Sequence, residues 1–178
     1  MRKLMYVFIL MMLFGCTGSP KLVEPVSEFN LERYLGTWYE VARLDHSFER
    51  GLNHVTATYS RREDGGVRVI NRGYSPERKE WKEAEGKAYF IEEEAVGHLK
   101  VSFFGPFYGS YIIFELDEEY QYAFVSGPNT DYLWLLSRTP MIDKSIIQQF
   151  KVLAQSKGFD VGQLILVQQD TRVGESDE

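Results

Sequence analysis

The chain has 178 residues, of which 26 are acidic and 20 are basic, so its formal net charge at pH 7 is −6. The length suits one domain with a sizeable core, and the acidic balance argues against nucleic acid as a partner and against electrostatic docking to anionic lipid. The one cysteine, Cys16, has no partner for a disulfide within the chain.

The first 15 residues have the organisation of a secretory signal peptide. Arg2 and Lys3 precede an uninterrupted apolar run over residues 4–14, which is shorter than the roughly 20 residues that a membrane-spanning helix needs. The run leads into the sequence LFGC, which resembles the bacterial lipobox. That resemblance implies that Cys16 is diacylated and becomes the N-terminus of the mature protein. The alternative is an ordinary signal peptide followed by a chance cysteine.

An acylated Cys16 predicts a membrane anchor. Two or more acyl chains hold a protein stably at a membrane, and no later stretch of the sequence is long and apolar enough to span one. In bacterial lipoproteins the residue after the cysteine steers sorting. The resemblance implies that Thr17, where an aspartate would retain the protein at the inner membrane, directs it to the periplasmic face of the outer membrane. Residues 16–27 contain Pro, Ser and Gly, and we expect them to form the lipidated N-terminus and a flexible tether.

Residues 28–170 are predicted to form the folded domain. Apolar and polar side chains alternate through much of it with the period of two that is typical of strands, as in the series Val55, Ala57 and Tyr59. Turn-forming sequences such as EDGG, YSPE, FGPFYG and SGPNTD separate these series. The pattern predicts an all-β fold of about eight strands, arranged as a sandwich or an up-and-down barrel.

One helix and a short final strand are predicted after these strands. In the sequence DKSIIQQFKVLAQSKG, Asp143 is placed to cap the start of the helix and Gly158 to end it. The apolar stripe of this helix predicts packing against the outside of the sheet. Residues 163–169 are predicted to form the last strand, and residues 171–178 a polar, frayed tail.

Two motifs stand near the two ends of the strand-rich region. Gly36-Thr37-Trp38 lies within FNLERYLGTWYEVARL, a stretch that we place before the first strand, and Arg138 lies within LWLLSRTP. The two resemble the glycine-x-tryptophan signature and the last-strand motif of the lipocalins. GTWYEVARL together with the lipobox is most similar to the bacterial lipocalins, which are related to apolipoprotein D. The resemblance implies an eight-stranded up-and-down antiparallel barrel.

The family's middle motif, which belongs in a loop at the closed end of the barrel, is matched best by LDEEYQYAFV at 116–125. The sequence TDY at 130–132 looks closer, but its position before the last barrel strand places it at the open end. The outer pair of motifs has a physical reason. Trp38 fills the closed end of the barrel, and the Arg138 guanidinium is expected to lie across the indole face, with its spare donors on nearby carbonyls. Gly36 is expected to let the chain pass tightly below.

Alternate side chains of a strand point to opposite faces, and we call this alternation strand parity. If Arg138 points into the barrel, every second residue before it on the same strand points inward too, so strand parity predicts which side chains line the barrel. Glu40 is also expected inside, paired with a polar neighbour. The inward position of Ile113 is predicted from the resemblance to apolipoprotein D, because its strand is apolar on both faces and alternation does not decide between them. The predicted ligand-binding residues are Val55, Ala57, Tyr59, Val69, Asn71, Ala88, Leu99, Val101, Phe103, Ile113, Trp134 and Leu136.

Mouth loops at about 45–54, 74–83 and 104–109 are expected to gate entry. Phe104, Phe107 and Tyr108 crowd the last loop, where they either pack together or touch lipid or a second subunit. The mostly apolar lining predicts a pocket for one amphipathic molecule. The resemblance implies a carrier of fatty acids or lysophospholipids in envelope maintenance, with no cofactor.

Three other functions remain open at this stage. They are a lipid-modifying enzyme, a haem or bilin carrier, and a structural envelope protein with a filled barrel. His46, His54 and His98 are scattered, and parity places His54 and His98 on the outside, so no metal site is predicted. No cysteine nucleophile or nucleophile elbow supports catalysis, so we do not expect an enzyme. The sequence leaves open whether the chain is a monomer or a homodimer.

Overall fold

The computed structural model describes residues 18–169. The predicted signal peptide, Cys16 and the predicted tail at 171–178 therefore lie outside the described residues. Within the described range, no helix combines the length and the apolar character that crossing a membrane requires.

Eight antiparallel strands form a closed barrel, as predicted. Each strand pairs with the next one along the chain, and pairing of the first strand with both the eighth and the second closes the ring. The strands are β1 (Gly36–Arg43), β2 (Asn53–Arg61), β3 (Val67–Ser75), β4 (Glu80–Phe90), β5 (His98–Ser102), β6 (Gly109–Leu116), β7 (Tyr122–Ser126) and β8 (Leu133–Ser137).

The sequence analysis placed the stretch that contains the first motif before the first strand, and this prediction is wrong. The stretch forms a four-residue helix, α1 (Leu31–Tyr34), and then β1 itself. The Asn30 side chain accepts a hydrogen bond from the Arg33 N–H at 3.2 Å and so caps α1. Gly36 has φ +95°, a left-handed conformation that favours glycine, and this lets the chain turn from α1 into β1 without steric strain.

Trp38 and Arg138 close the barrel beside α1. The Arg138 guanidinium carbon lies 4.0 Å from the centre of the Trp38 ring, and the indole is fully buried. Arg138 also donates to the carbonyl oxygens of Arg33 at 2.7 Å and Thr37 at 3.1 Å. The Trp38 Nε1–H donates to the Tyr34 carbonyl at 2.8 Å. This end is therefore sealed by a large ring whose neighbouring polar groups are hydrogen-bonded.

The helix α2 (Lys144–Ser156) packs outside the barrel, as predicted. The Asp143 side chain caps it by accepting from the Ser145 N–H at 2.7 Å. Phe150 and Ala154 are buried against the outward side chains of the last three barrel strands, among them Phe124. After α2, a 3₁₀ turn (Val161–Gln163) leads to β9 (Ile165–Leu166), which pairs with β1 on the outside. The final strand is thus shorter than the predicted residues 163–169.

The four connections at the open end of the barrel, residues 44–52, 76–79, 103–108 and 127–132, are called the mouth below. The connections at 62–66, 91–97 and 117–121 lie at the closed end together with Trp38. The TDY sequence at 130–132 is therefore at the mouth, and the better-placed match within 116–125 spans a closed-end connection, as the spacing indicated.

The N-terminal segment is packed where the sequence predicted a flexible tether. From Gly18 onward the chain lies along the outside of the barrel. Val23 is buried in the cluster beneath α2. The Val26 N–H donates to the Ile113 carbonyl at 2.8 Å, and the Gly97 N–H donates to the Val26 carbonyl at 2.9 Å. The burial of Val23 and the backbone hydrogen bonds of Val26 outweigh the turn-rich composition of this segment.

Candidate ligand-binding site

A cavity of about 280 Å³ occupies the barrel interior. It extends from Tyr34 near the closed end to Pro128 at the mouth, and its wall is mostly apolar. Ten of the twelve predicted ligand-binding residues lie on that wall: Val55, Ala57, Tyr59, Val69, Asn71, Ala88, Leu99, Val101, Phe103 and Trp134.

The other two, Ile113 and Leu136, do not reach the cavity. Both are buried in the packed inner cluster that contains Trp38. On β6 the place on the wall is taken instead by Tyr111, two residues earlier on the same face. Strand parity predicts the face on which a side chain lies, but it does not predict the depth at which an open cavity gives way to solid packing.

Three tyrosine hydroxyls meet at the floor of the cavity. The Tyr111 hydroxyl lies 2.7 Å from the Tyr34 hydroxyl and 2.8 Å from the Tyr59 hydroxyl. Burial raises the pKa of all three tyrosines above the ordinary value, most strongly for Tyr34 and Tyr111. The floor therefore stays uncharged at neutral pH, and its polar atoms are engaged with one another.

A charged cluster borders the cavity on the side of β1. The alternation of β1 is interrupted between Glu40 and Ala42, where a bulge shifts its register against β8. Arg43 therefore lies opposite the inward-facing Trp134 and enters the interior with Glu40. The Arg43 Nη1 donates to Glu40 Oε1 at 2.6 Å, and both side chains are almost completely buried. Glu40 thus has the polar partner that its inward parity predicted.

Glu49 links this cluster to the mouth. Its Oε2 accepts from the Trp134 Nε1–H at 3.1 Å and lies 3.0 Å from the His46 Nε2. The Arg43 Nη2 donates to the backbone carbonyls of Glu49 at 2.9 Å and Leu52 at 3.3 Å. One buried guanidinium therefore holds the first mouth connection against β1, and Glu49 orients the indole of Trp134.

The two buried carboxyl groups differ in acidity. Burial, and secondly the charge of Glu49, holds the pKa of Glu40 well above its usual range, against the opposing effect of Arg43. Burial alone would also raise the pKa of Glu49, but the combined interactions with His46, Trp134 and Arg43 lower it. Glu49 is therefore the member of the pair that carries negative charge more readily.

A second cavity of about 360 Å³ adjoins the first at the mouth. Glu49, Asn71 and Phe103 line both spaces. The Asn71 Oδ1 is buried and has no hydrogen-bond partner among residues 18–169, so it is an available acceptor near the join. Lys82 lies on the wall of the second cavity, since its pairing with Gly73 gives it the inward face of β4. The charged groups of the site thus lie beside β1 and towards the mouth, whereas the floor carries only uncharged hydroxyls.

Sequence reasoning missed several residues of this site. Phe48, Glu49 and Tyr132 belong to mouth connections, where no alternation indicates a face. The position of Arg43 required a bulge that alternation does not predict. The available signal was the pair of opposite charges, Glu40 and Arg43, three residues apart in an otherwise apolar strand.

The histidines are also arranged differently from the prediction. His46 is buried at the mouth beside Glu49 and stacks on Phe48, with ring centres 4.0 Å apart. His98 pairs with the outward-facing Ile112, but it is buried and not on the surface. Among residues 18–169, no three His, Cys, Asp or Glu side chains are grouped so that they could hold a metal ion.

Comparison with known proteins decides the family. Residues 29–169 match the family described as the lipocalin-like domain. The chain belongs to the lipocalin family. A relative in Vibrio cholerae, the outer membrane lipoprotein Blc, is 62% identical over 170 residues, which cover 95% of this lipocalin and 99% of that protein. Apolipoprotein D of Rattus norvegicus is 32% identical over 149 residues, which cover 79% of this lipocalin and 77% of that chain.

Solved structures agree on the fold. Insecticyanin from the tobacco hornworm Manduca sexta superposes on this lipocalin with a TM-score of 0.69, over 86% of this chain and 88% of that chain. The two sequences are 19% identical, so this likeness shows the shared barrel alone. The resemblance found in the two sequence motifs and the observed barrel therefore lead to the same family.

Proposed function

We propose that this lipocalin binds one single-chain amphipathic lipid, a fatty acid or a lysophospholipid, and carries or stores it in envelope maintenance. The observation that carries the proposal is the cavity of about 280 Å³ with a mostly apolar wall, a closed floor and an opening at the mouth. A site of this kind holds an apolar chain along its wall and orients a polar head with a few groups.

Lys82 near the mouth supports a ligand with an anionic head on the side of β4, whereas Glu49 disfavours an anion beside β1. Lys82 supplies a positive charge on the wall of the outer cavity, and Asn71 lies where the two cavities join. A fatty acid carboxylate and a lysophospholipid phosphate both suit a lysine at the entrance. The tyrosine floor, by contrast, is uncharged and self-bonded, so it suits the end of the apolar chain.

The expected affinity is consistent with a carrier. Burying a chain of about 16 carbons gives on the order of 12 kcal/mol at about 0.8 kcal/mol per methylene. Association costs several kcal/mol of translational and rotational freedom. For an association cost of about 4 kcal/mol, the remainder of about 8 kcal/mol corresponds to a dissociation constant of about 1 μM.

The anchor belongs to the same proposal. The lipobox around Cys16 and the name of the Vibrio cholerae relative, outer membrane lipoprotein Blc, support acylation of Cys16. Thr17 supports a position on the periplasmic face of the outer membrane. Growth with labelled palmitate tests the assignment, because a Cys16→Ala variant should take up no label.

Titration with a lipid is expected to change the fluorescence of Trp134, because this indole lies on the cavity wall. The delipidated domain is titrated with palmitate and with a lysophospholipid, and each should saturate near one ligand per barrel. A Trp134→Phe variant should lose most of the response. Trp81→Phe is the matched control, since the Trp81 indole packs beneath Arg72 and does not line the inner cavity.

Mass spectrometry of the recovered lipid separates binding from catalysis, because a carrier returns the ligand intact. One oxygen of each buried carboxyl group is engaged, Glu40 Oε1 by Arg43 and Glu49 Oε2 by His46 and Trp134, which ties both groups to structural partners. Absence of saturable binding to either lipid would contradict the carrier and favour a barrel that serves only as structure.

Filling the inner cavity is expected to weaken lipid binding without unfolding the barrel. The side chain of Ala88 lies on the cavity wall, so an Ala88→Phe substitution places a phenyl ring in the space of about three methylenes. The loss is about 2 kcal/mol, or roughly thirtyfold in the dissociation constant. Lys87→Phe is the control, because Lys87 is exposed on the outward face of the same strand. Equal affinities of the two variants, measured by the same titration, would place the ligand elsewhere.

A further inference from the structure

The described chain begins at the mouth of the barrel. A β-carbon placed on Gly18 would lie 3.8 Å from the carbonyl oxygen of Pro128, in the connection between β7 and β8. From there the segment passes Val23 and Val26 to reach Asn30 at the closed end, where the Asn30 N–H donates to the Tyr120 hydroxyl at 2.9 Å. Consecutive Cα atoms are 3.8 Å apart, so Cys16 lies within about 8 Å of Gly18. An acyl anchor on Cys16 is therefore held next to the mouth.

The mouth also carries exposed aromatic side chains. Phe104 is 77% exposed, Phe107 is 69% exposed and Phe48 is 53% exposed. All three lie in mouth connections, and all three line the outer cavity. Exposed aromatic residues gathered around an apolar opening are typical of a surface that contacts another molecule.

The barrel wall is open beside two of these phenylalanines. β4 runs from Glu80 to Phe90, but β5 pairs with it only from Lys87 to Phe90. In the structure as described, β3 covers one edge of β4, but no strand covers the opposite edge, towards β5, over residues 80–86, and the outer cavity lies along that edge. Phe104 and Phe107 stand on the other side of this gap, so the aromatic surface and the lateral opening face the same surroundings.

We propose that the mouth of this lipocalin docks on the membrane that holds the Cys16 anchor, with Phe48, Phe104 and Phe107 in contact with lipid and the gap beside β4 open towards the bilayer. The proposal rests on the anchored function proposed above and adds an orientation to it. The closed end, with Trp38 and Arg138, points away from the membrane. A lipid then passes between bilayer and cavity without crossing water.

Charge supports an apolar contact with neutral lipid over an electrostatic one. Arg50 is paired with Asp45 and Arg78 with Glu80, so these basic residues near the mouth are offset by acidic neighbours. Docking is therefore expected on vesicles with and without anionic lipid, and it should change little between low and high salt.

The test uses the acylated full chain in vesicles of phosphatidylethanolamine and phosphatidylglycerol. Because the chain has one cysteine and acylation consumes it, an introduced cysteine is a unique site for a fluorophore. Thr130→Cys places the label in an exposed part of the mouth, and Glu63→Cys places it in an exposed connection at the closed end. Brominated lipids should quench the label at residue 130 and leave the label at residue 63 at its unquenched intensity.

A variant pair tests the role of the aromatic residues. Phe104→Ser with Phe107→Ser should abolish most of the quenching at residue 130, while the protein still floats with the vesicles. The matched control is Met141→Ser with Val152→Ser, which removes two equally exposed apolar side chains outside the mouth. This control should leave the quenching unchanged.

Each other outcome overturns a distinct part of the proposal. Equal quenching at the two labels, or stronger quenching at residue 63, would refute the orientation while leaving the anchor intact. If the wild-type chain took up no labelled palmitate and did not float with the vesicles, both the anchor and the orientation would be refuted. Shielding of the label at residue 130 without vesicles, rising with protein concentration, would show that a second copy of the chain covers the mouth instead.

Discussion

Replacing Trp38 with alanine is expected to lower the free energy of unfolding by about 3–5 kcal/mol, the usual cost of truncating a fully buried large aromatic side chain. The indole is fully buried, lies 4.0 Å from the Arg138 guanidinium and donates to the Tyr34 carbonyl. Its loss leaves a cavity at the closed end and removes the surface on which Arg138 lies. Urea denaturation of the wild type and the variant measures the difference.

Trp81→Ala is the matched control, because the Trp81 indole is 40% exposed and packs outside the barrel. Its cost should stay below about 1 kcal/mol. A double-mutant cycle with Arg138→Met is expected to give a coupling of about 0.5–2 kcal/mol, since a guanidinium stacked on an indole is stabilised by cation–π attraction. A loss below about 1 kcal/mol for Trp38→Ala would contradict the role of this residue as the plug of the closed end.

Arg43→Met is expected to destabilise the barrel by about 3–5 kcal/mol at pH 7, because removal of one member of a buried ion pair leaves the other without compensation. The Arg43 guanidinium donates to Glu40 Oε1 and to the backbone carbonyls of Glu49 and Leu52, all in buried surroundings. Methionine fills a similar volume without donating to any of them. The same urea denaturation measures this change, together with its dependence on pH.

The pH dependence identifies the unpaired group. Burial, and secondly the charge of Glu49, raises the pKa of Glu40 in the folded protein, and removing Arg43 takes away an interaction that opposes this rise. Because the pKa of Glu40 is higher in the folded protein than in the unfolded chain, where it is near 4.5, protonation of Glu40 stabilises the folded state fully at pH values below 4.5. This stabilisation is lost as the pH rises through the pKa of the folded protein. The loss in free energy of unfolding caused by Arg43→Met should therefore be largest near neutral pH and become smaller as the pH falls towards 5.

The double variant Glu40→Gln, Arg43→Met is the control for the ion pair. It removes the uncompensated carboxylate, so it should recover a large part of the stability lost in Arg43→Met at pH 7. The loss of stability in Arg43→Met would instead come from the missing hydrogen bonds to the mouth connection if it did not depend on pH and if Glu40→Gln did not reduce it.

The two variants act at opposite ends of the barrel and therefore separate fold from function. Trp38 supports the closed end and does not itself line the cavity, although it packs against Tyr34 at the cavity floor, with ring centres 4.7 Å apart. Arg43 holds the connection that carries Phe48 and Glu49, which line both cavities. Loosening this connection is expected to affect ligand entry as well as stability, whereas loss of Trp38 is expected to act on stability and on the packing of the cavity floor through Tyr34.

Local patterns in the sequence were sufficient for the strands and for most of the cavity wall, whereas the choice of a barrel over a sandwich rested on the resemblance of two motifs to the lipocalins. A strand alternates its side chains regardless of its neighbours, so the inward face of β2, with Val55, Ala57 and Tyr59, follows from order alone. The cap at Asp143 is a local feature too, and Arg138 lies over Trp38 as the two motifs implied, although Gly36 and Trp38 belong to β1 and do not precede it.

Tertiary structure decided the rest, because those features depend on residues distant in the chain. The bulge in β1 turns Arg43 inward only because β8 pairs with both sides of it, and Ile113 and Leu136 fall below the cavity because the plug around Trp38 fills that depth. The segment after Gly18 has the composition of a tether, yet it packs on the barrel because Val23 is buried beneath α2 and the backbone of Val26 is hydrogen-bonded to Ile113 and Gly97. Composition and parity describe what a segment can do alone, whereas burial and pairing with remote strands determine what it does in the folded protein.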